Sequence, residues 1–159
     1  MNNYPRIPEE AAPVVLTAPV TTNGGVTTDY ISLKNAHMVF LVLVFTQAVG
    51  HATGIDPVQC TAVDGTGSKA ITKTLPIWSN VDVSLTSVLT RRTDAITYDL
   101  PATAKNMIVT MQIDPAGFDV ANGFDVLGLS IDNSAQATNF VSATAFIVPR
   151  YKDVNVIVD

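Results

Sequence analysis

Charged residues are scarce in this sequence. Lys, Arg, Asp and Glu make up 14% of the 159 residues, against about 25% in a typical soluble domain. Because exposed uncharged surface invites association, this deficit indicates that copies of the chain or a larger partner cover part of the surface. A surface rich in Thr, Ser and Asn is the alternative interpretation.

Cysteine, histidine and basic clusters are equally sparse, and each shortage excludes a class of function. Cys60 is the single cysteine, which excludes an internal disulfide framework and a Cys-based zinc cluster. His37 and His51 lack the spacing of a zinc site. The net charge is −5 and the nine Lys and Arg residues are mostly isolated, so direct nucleic-acid binding is not expected.

Long apolar runs and a secretory leader are also missing. The longest apolar run, Met38 to Phe45, has eight residues, whereas a helix that crosses a bilayer needs about twenty. The first six residues do not form a basic region followed by an apolar stretch. We therefore expect no membrane contact, no signal peptide and synthesis in the cytoplasm of the producing cell.

Residues 1–28 are predicted to form an extended N-terminal arm. They contain four of the nine prolines and both glutamates, and the turn signal Asn23-Gly24-Gly25 lies near their end. Proline favours extended backbone and edge positions, so the arm is expected to contain an edge strand at Val14–Leu16. The arm is expected to contact a partner through Pro5, Pro8, Pro13, Val14, Leu16 and Pro19.

Residues 29–151 are predicted to form one all-β domain. Short β-branched segments alternate with turn residues, which favours a sandwich, jelly roll or barrel. Single helical turns are expected at Gly67–Thr72 and Pro115–Asp119. The candidate strands are Tyr30–Leu33, His37–Gln47, Val58–Val63, Ile77–Val81, Leu85–Thr90, Ala95–Asp99, Met107–Ile113, Val126–Ile131 and Thr138–Val148.

The segment His37–Gln47 is apolar on both faces of a strand. In a sandwich, one face then lies in the core and the other lies under a second subunit, an arm or a loop. Coverage by the chain's own connections is the alternative. The candidate contacts of a homo-oligomer are Met38, Phe40, Val42 and Val44.

Residues 152–159 form a C-terminal tail after Pro149 ends the last candidate strand. The tail is rich in branched apolar residues, which are suited to adding a strand to a neighbouring sheet edge. A frayed terminus is the alternative interpretation. The candidate partner contacts in the tail are Val154, Val156, Ile157 and Val158.

No set of residues with a catalytic signature stands out. Cys60, His51 and Asp56 are near in sequence but lack a diagnostic spacing. Gly65–Lys69 lacks the G-x-x-x-x-G-K-S/T pattern of a phosphate-binding loop, and we interpret it as a loop with no phosphate-binding role. Trp78 is expected to fill space in the core or between the sheets. We therefore expect a non-enzymatic protein with no cofactor and no metal.

Four segments resemble those of small virion proteins encoded by tailed bacteriophages: Ile31–His37, Ala62–Ala70, Phe118–Asp125 and Pro149–Tyr151. The similarity spans roughly residues 29–151. The resemblance implies a cement or decoration protein, a jelly-roll-like antiparallel β-sandwich that binds the major capsid protein on the outer surface of the virion and stabilises the shell.

The arm and the tail depart from a minimal decoration domain. These departures leave open a role as a tail, collar or head-fibre attachment component. A glycan-binding module is a further alternative, although the aromatic residues do not cluster as a sugar-stacking platform would.

Overall fold

Twelve β-strands form most of the regular structure in residues 7–151, the part of the chain that this computed structural model describes. A four-residue helix, α1 (Ile7–Glu10), precedes the strands, and two 3-10 turns, Pro115–Gly117 and Val120–Asn122, lie between β10 and β11. The predicted all-β class is confirmed. The strands are β1 (Ala12–Thr21), β2 (Val26–Thr27), β3 (Ile31–Ser32), β4 (Ala36–Gln47), β5 (Gly54–Cys60), β6 (Lys69–Ala70), β7 (Ile77–Asn80), β8 (Thr90–Arg91), β9 (Tyr98–Asp99), β10 (Asn106–Ile113), β11 (Val126–Ile131) and β12 (Asn139–Pro149).

The strands form two antiparallel sheets that pack as a sandwich. The first sheet has the strand order β1-β12-β4-β10-β7-β8. The second sheet has the order β2-β11-β5-β6, with β3 also paired to β11 and β9 paired to β5. The predicted β-sandwich is therefore confirmed, and its jelly-roll character stays a prediction.

Strand β4 lies at the centre of the first sheet, between β12 and β10. Its side chains alternate between the two sides of the sheet, as the strand geometry requires. One side packs into the core against Leu127, Leu129 and Ile131 of the second sheet. Burial of each such large aliphatic side chain contributes roughly 1.5–3 kcal/mol. The core-facing residues of β4 are Val39, Leu41, Leu43 and Phe45.

The prediction of an extended arm is wrong over residues 12–21, whereas the edge strand expected at Val14–Leu16 is confirmed and is longer than expected. These residues form β1, which pairs with β12 and is the edge strand of the first sheet. Pro13 and Pro19 are tolerated there because some backbone N–H groups of an edge strand point away from the sheet and donate no hydrogen bond to a neighbouring strand. Leu16 is 1% exposed and belongs to the core, so it is not available as a partner contact. The sandwich therefore begins at β1 and not at residue 29.

The side of the second sheet that faces away from the core is partly covered by Tyr30. A Cβ added at Gly128 of β11 would overlap the Tyr30 ring, and one at Gly65 would come within 2.7 Å of it. Both positions therefore require glycine, and Gly65 also has a φ of 83°. Cys60 is fully buried on this side, where burial raises the pKa of its thiol.

Three local predictions are wrong. The expected helical turn at Gly67–Thr72 consists of turns and the short strand β6. The expected strand at Leu85–Thr90 is a loop up to the start of β8. Trp78 lies on the outer side of β7, where the Arg91 guanidinium lies 4.7 Å from the centre of its ring, and it does not fill the core. The expected turn at Pro115 is confirmed.

Candidate functional site

The four long strands of the first sheet contain no Asp, Glu, Lys or Arg. They are β1, β12, β4 and β10, which are neighbours in that order. All nine basic and fourteen acidic residues of the chain lie elsewhere. Burial explains the lack of charge on the core side, but it does not explain the opposite side.

We call that opposite side of the first sheet the outer face. The pairing registers place its side chains in rows across the strands: Val15 pairs with Thr144, and Thr144 pairs with Val42. Phe40 lies directly opposite Phe146, and such aromatic cross-strand pairs stabilise a sheet. The outer face includes the apolar residues Val15, Met38, Phe40, Val42, Val44, Trp78, Ile108, Phe140 and Phe146 and the polar residues Thr46, Thr110, Gln112, Ser142 and Thr144.

Large apolar side chains of the outer face are exposed to solvent. Phe40 is 39% exposed and Val44 is 47% exposed, and Val15 and Phe140 are exposed as well. Single exposed apolar residues are ordinary, but a contiguous uncharged patch over several strands marks an interaction surface. The outer face has this character.

The four residues predicted as oligomer contacts, Met38, Phe40, Val42 and Val44, all lie on the outer face. Phe40 and Val44 are exposed, whereas Met38 and Val42 are half-buried. Sequence reasoning missed the neighbours that these residues have on β1, β10 and β12. The signal that identifies them is the shared lack of charge in segments 12–21, 106–113 and 139–149.

The loop Val83–Leu89, between β7 and β8, extends the outer face. Leu85 is 82% exposed, and Val83, Val88 and Leu89 are exposed too. Asn80, on the outer side of β7, donates from Nδ2 to the Thr86 carbonyl at 2.5 Å. This bond holds the loop against the outer side of the sheet, so the apolar surface continues into the loop.

An ion pair at the base of this loop organises its backbone. Lys105 Nζ lies 2.7 Å from Asp82 Oδ2, and the Ser84 backbone N–H donates to Asp82 Oδ1 at 3.1 Å. The hydrogen bond from Lys105, with one from Ser84, lowers the pKa of Asp82 to about 2. The exposed apolar side chains are therefore presented on a backbone that is already ordered, which reduces the entropy lost on binding.

The candidate partner contacts in the N-terminal segment have different environments. Pro8 lies on α1 and is exposed, and Pro13 and Pro19 are exposed on β1. Val14 is half-buried and packs against the core. Pro5, Val154, Val156, Ile157 and Val158 lie outside the described residues.

Both termini of the described chain leave the sandwich at the same end. Strands β1 and β12 are antiparallel neighbours, and Ala12, at the start of β1, pairs with Ile147, near the end of β12. Segments 1–6 and 152–159 are therefore attached at adjacent points.

The residues considered for catalysis are not brought together. His37 lies at the start of β4 and His51 follows its end, while Cys60 is buried at the end of β5. Within residues 7–151, no group of three or more His, Cys, Asp or Glu side chains has the geometry to hold a metal ion. Asp56 has a raised pKa, first because of burial and then because of the charges of Asp132 and Asp99.

The described surface also contains open clefts. One of about 410 Å³ lies beside β1 and is lined in part by Val14, Thr28 and Asp64. A second cleft of about 170 Å³, lined by Leu33, Pro115 and other residues, is smaller than the roughly 300–1,000 Å³ of typical ligand pockets. The outer face is a larger continuous feature than either cleft.

No protein-family model matches the chain, and no curated protein is similar to it. None of the helices in residues 7–151 is long and apolar enough to cross a membrane. The outer face, with the loop Val83–Leu89, is therefore the feature from which function is inferred.

Proposed function

We propose that this chain is a structural virion protein that binds the outer surface of a bacteriophage capsid and stabilises the shell. The observation that carries the proposal is the outer face, an exposed apolar surface on strands that contain no Asp, Glu, Lys or Arg. The resemblance of residues 29–151 to small phage virion proteins supports the same role.

A cement protein stabilises a shell by binding its assembled state more tightly than its separate subunits. Each bound copy adds a free energy of RT ln(1 + [L]/Kd), about 2.7 kcal/mol when the free protein is at a hundred times its Kd. This contribution recurs at every occupied position. The task requires extended contact surfaces, and the cores of protein interfaces are uncharged and rich in aromatic residues, as the outer face is.

Segments 1–11 and 152–159 are proposed to contact the shell. Residues 12–21 pair with β12 as strand β1, so the proposed shell contact of the N-terminal segment is limited to the residues before Ala12. Because both segments start from one end of the sandwich, they can engage two sites on a shell together. Such bivalent attachment raises the overall affinity without a new contact.

The test is binding of the purified chain to capsids of the virus that encodes it. We expect saturable binding and a higher temperature of shell disruption when the chain is bound. Deletion of residues 1–11 and 152–159 leaves all twelve strands intact and is expected to reduce occupancy strongly. Unchanged occupancy refutes the contact by these segments.

Other outcomes identify the competing functions. If the chain binds to tails or collars and not to capsids, it is an attachment component. Saturable binding to a glycan array, with no binding to any part of the particle, assigns it to the glycan-binding modules. Either result contradicts the cement role.

A further inference from the structure

We infer that the outer face binds the outer face of a second copy of this chain, so that two sandwiches form a two-fold symmetric dimer. The inference rests on the proposed function in taking the outer face as a surface for assembly. It goes further by naming the occupant of that face. The segments at the end of the sandwich then remain available for the shell.

The size of the outer face fits a stable dimer. With strands about 4.8 Å apart and a rise of about 3.3 Å per residue, the four long strands form a face roughly 19 Å by 26 Å. Trp78 and the loop Val83–Leu89 extend its width by about 10 Å, which gives a footprint of roughly 750 Å². A standard stable interface buries about 800 Å² on each partner.

The charge distribution also favours a second copy of the chain as the partner that covers the outer face. The chain has a net charge of −5, so two copies repel each other through most orientations at low salt. The four long strands contribute no charged side chain to a face-to-face contact. In a two-fold dimer the same patch is used on both partners, so the four long strands meet without burying an unpaired charge. Arg91, which lies over Trp78 at the margin of the face, is paired with Asp94.

The outer side of the second sheet does not offer an equivalent surface. The Tyr30 ring covers part of it at Gly128, and Asp56 projects from this side of β5 opposite Ser130. Burial of Asp56 against a second copy would place two carboxylates in an interface. The first sheet is therefore the one that the inference assigns to dimer formation.

Val44 is the position at which to test the contact, because it lies on the central strand and its side chain points away from the core. The V44D and V44K variants each introduce a charge that face-to-face packing would bury. We expect each to weaken dimer formation by about a hundredfold or more. Val44→Thr keeps the branched shape without charge, and Val120→Asp places a charge at a valine of similar exposure outside the face.

The measurement is sedimentation equilibrium of the full-length chain over a concentration series. We expect the wild type, Val44→Thr and Val120→Asp to reach twice the chain mass of 16.9 kDa and the two charged variants to remain monomeric. An equimolar mixture of V44D and V44K is expected to recover the dimer, because opposite charges then face each other. Recovery on mixing also shows that both variants are folded.

Three results would overturn the inference: a monomeric wild type at all concentrations, a V44D variant as dimeric as the wild type, or a trimer. Capsid binding, measured separately, distinguishes this failure from failure of the proposed function. A monomer that binds capsids refutes the dimer alone. A dimer that does not bind capsids refutes the cement role alone.

Discussion

Leu43 and Val44 are adjacent on β4, but truncation to alanine is expected to lower the free energy of unfolding much more at Leu43 than at Val44. Leu43 is fully buried between the sheets, whereas Val44 is 47% exposed on the outer face. Replacement of a core leucine by alanine removes buried apolar area and leaves a cavity, at a cost of about 2–5 kcal/mol. We expect Leu43→Ala to cost about 3 kcal/mol of unfolding free energy and Val44→Ala to cost less than about 1 kcal/mol.

The assay is urea unfolding at a protein concentration at which the chain is monomeric, so that association does not contribute. The m-values of the two variants should match that of the wild type, because m reports the surface exposed on unfolding. Equal losses for the two variants would refute the assignment of the two sides of β4. A larger loss at Val44 would place the core on the other side of the sheet.

Three further predictions concern the second sheet and the loop. Gly128→Ala is expected to cost about 1–3 kcal/mol, because the added Cβ overlaps the Tyr30 ring; thermal melting measures this, and an unchanged melting temperature would contradict the packing. Asp56→Asn is expected to stabilise the fold at pH 7 by no more than about 1 kcal/mol. Since the pKa of Asp56 is raised in the folded chain, its charge begins to weaken the fold as the pH rises above the ordinary pKa of the unfolded chain, and the loss is complete above the folded pKa. The gain should therefore disappear below about pH 3.8, and a gain that persists there would contradict the charge explanation. Asp82 is expected to titrate at about 2 by NMR and at a higher pH in Lys105→Ala, although the Ser84 hydrogen bonds still lower its pKa there; an unchanged midpoint would show that Lys105 is not the cause.

Runs of apolar residues made the central strands predictable from the sequence. The bounds predicted for 37–47 and 126–131 match the structure almost to the residue, because runs of β-branched and aromatic residues between turn signals favour strands. The two-sided apolar character of β4 also predicted an outer face for Met38, Phe40, Val42 and Val44. The neighbours of β4 depend on long-range pairing, which local patterns do not encode.

Proline and side-chain hydrogen bonds explain the errors. The prolines indicate an arm with a short edge strand at Val14–Leu16. The strand extends over residues 12–21 because Leu16 gains burial by joining the sheet, while Pro13 and Pro19 are tolerated at its edge. The segment 85–90 has the composition of a strand, yet Asp82 bonds the Ser84 backbone and Asn80 bonds the Thr86 carbonyl. Such local bonds compete with strand pairing and hold the segment as a loop.

The role of the outer face in assembly is tested most directly by the occupancy of capsids by Val44→Asp and Val44→Thr. Both variants change one side chain that points away from the core, and only one of them adds a charge. The account predicts that Val44→Thr binds capsids like the wild type and that Val44→Asp binds with much lower occupancy and protects the shell less against heat. Equal occupancy by the two variants would contradict the claim that the outer face contributes to assembly on the shell.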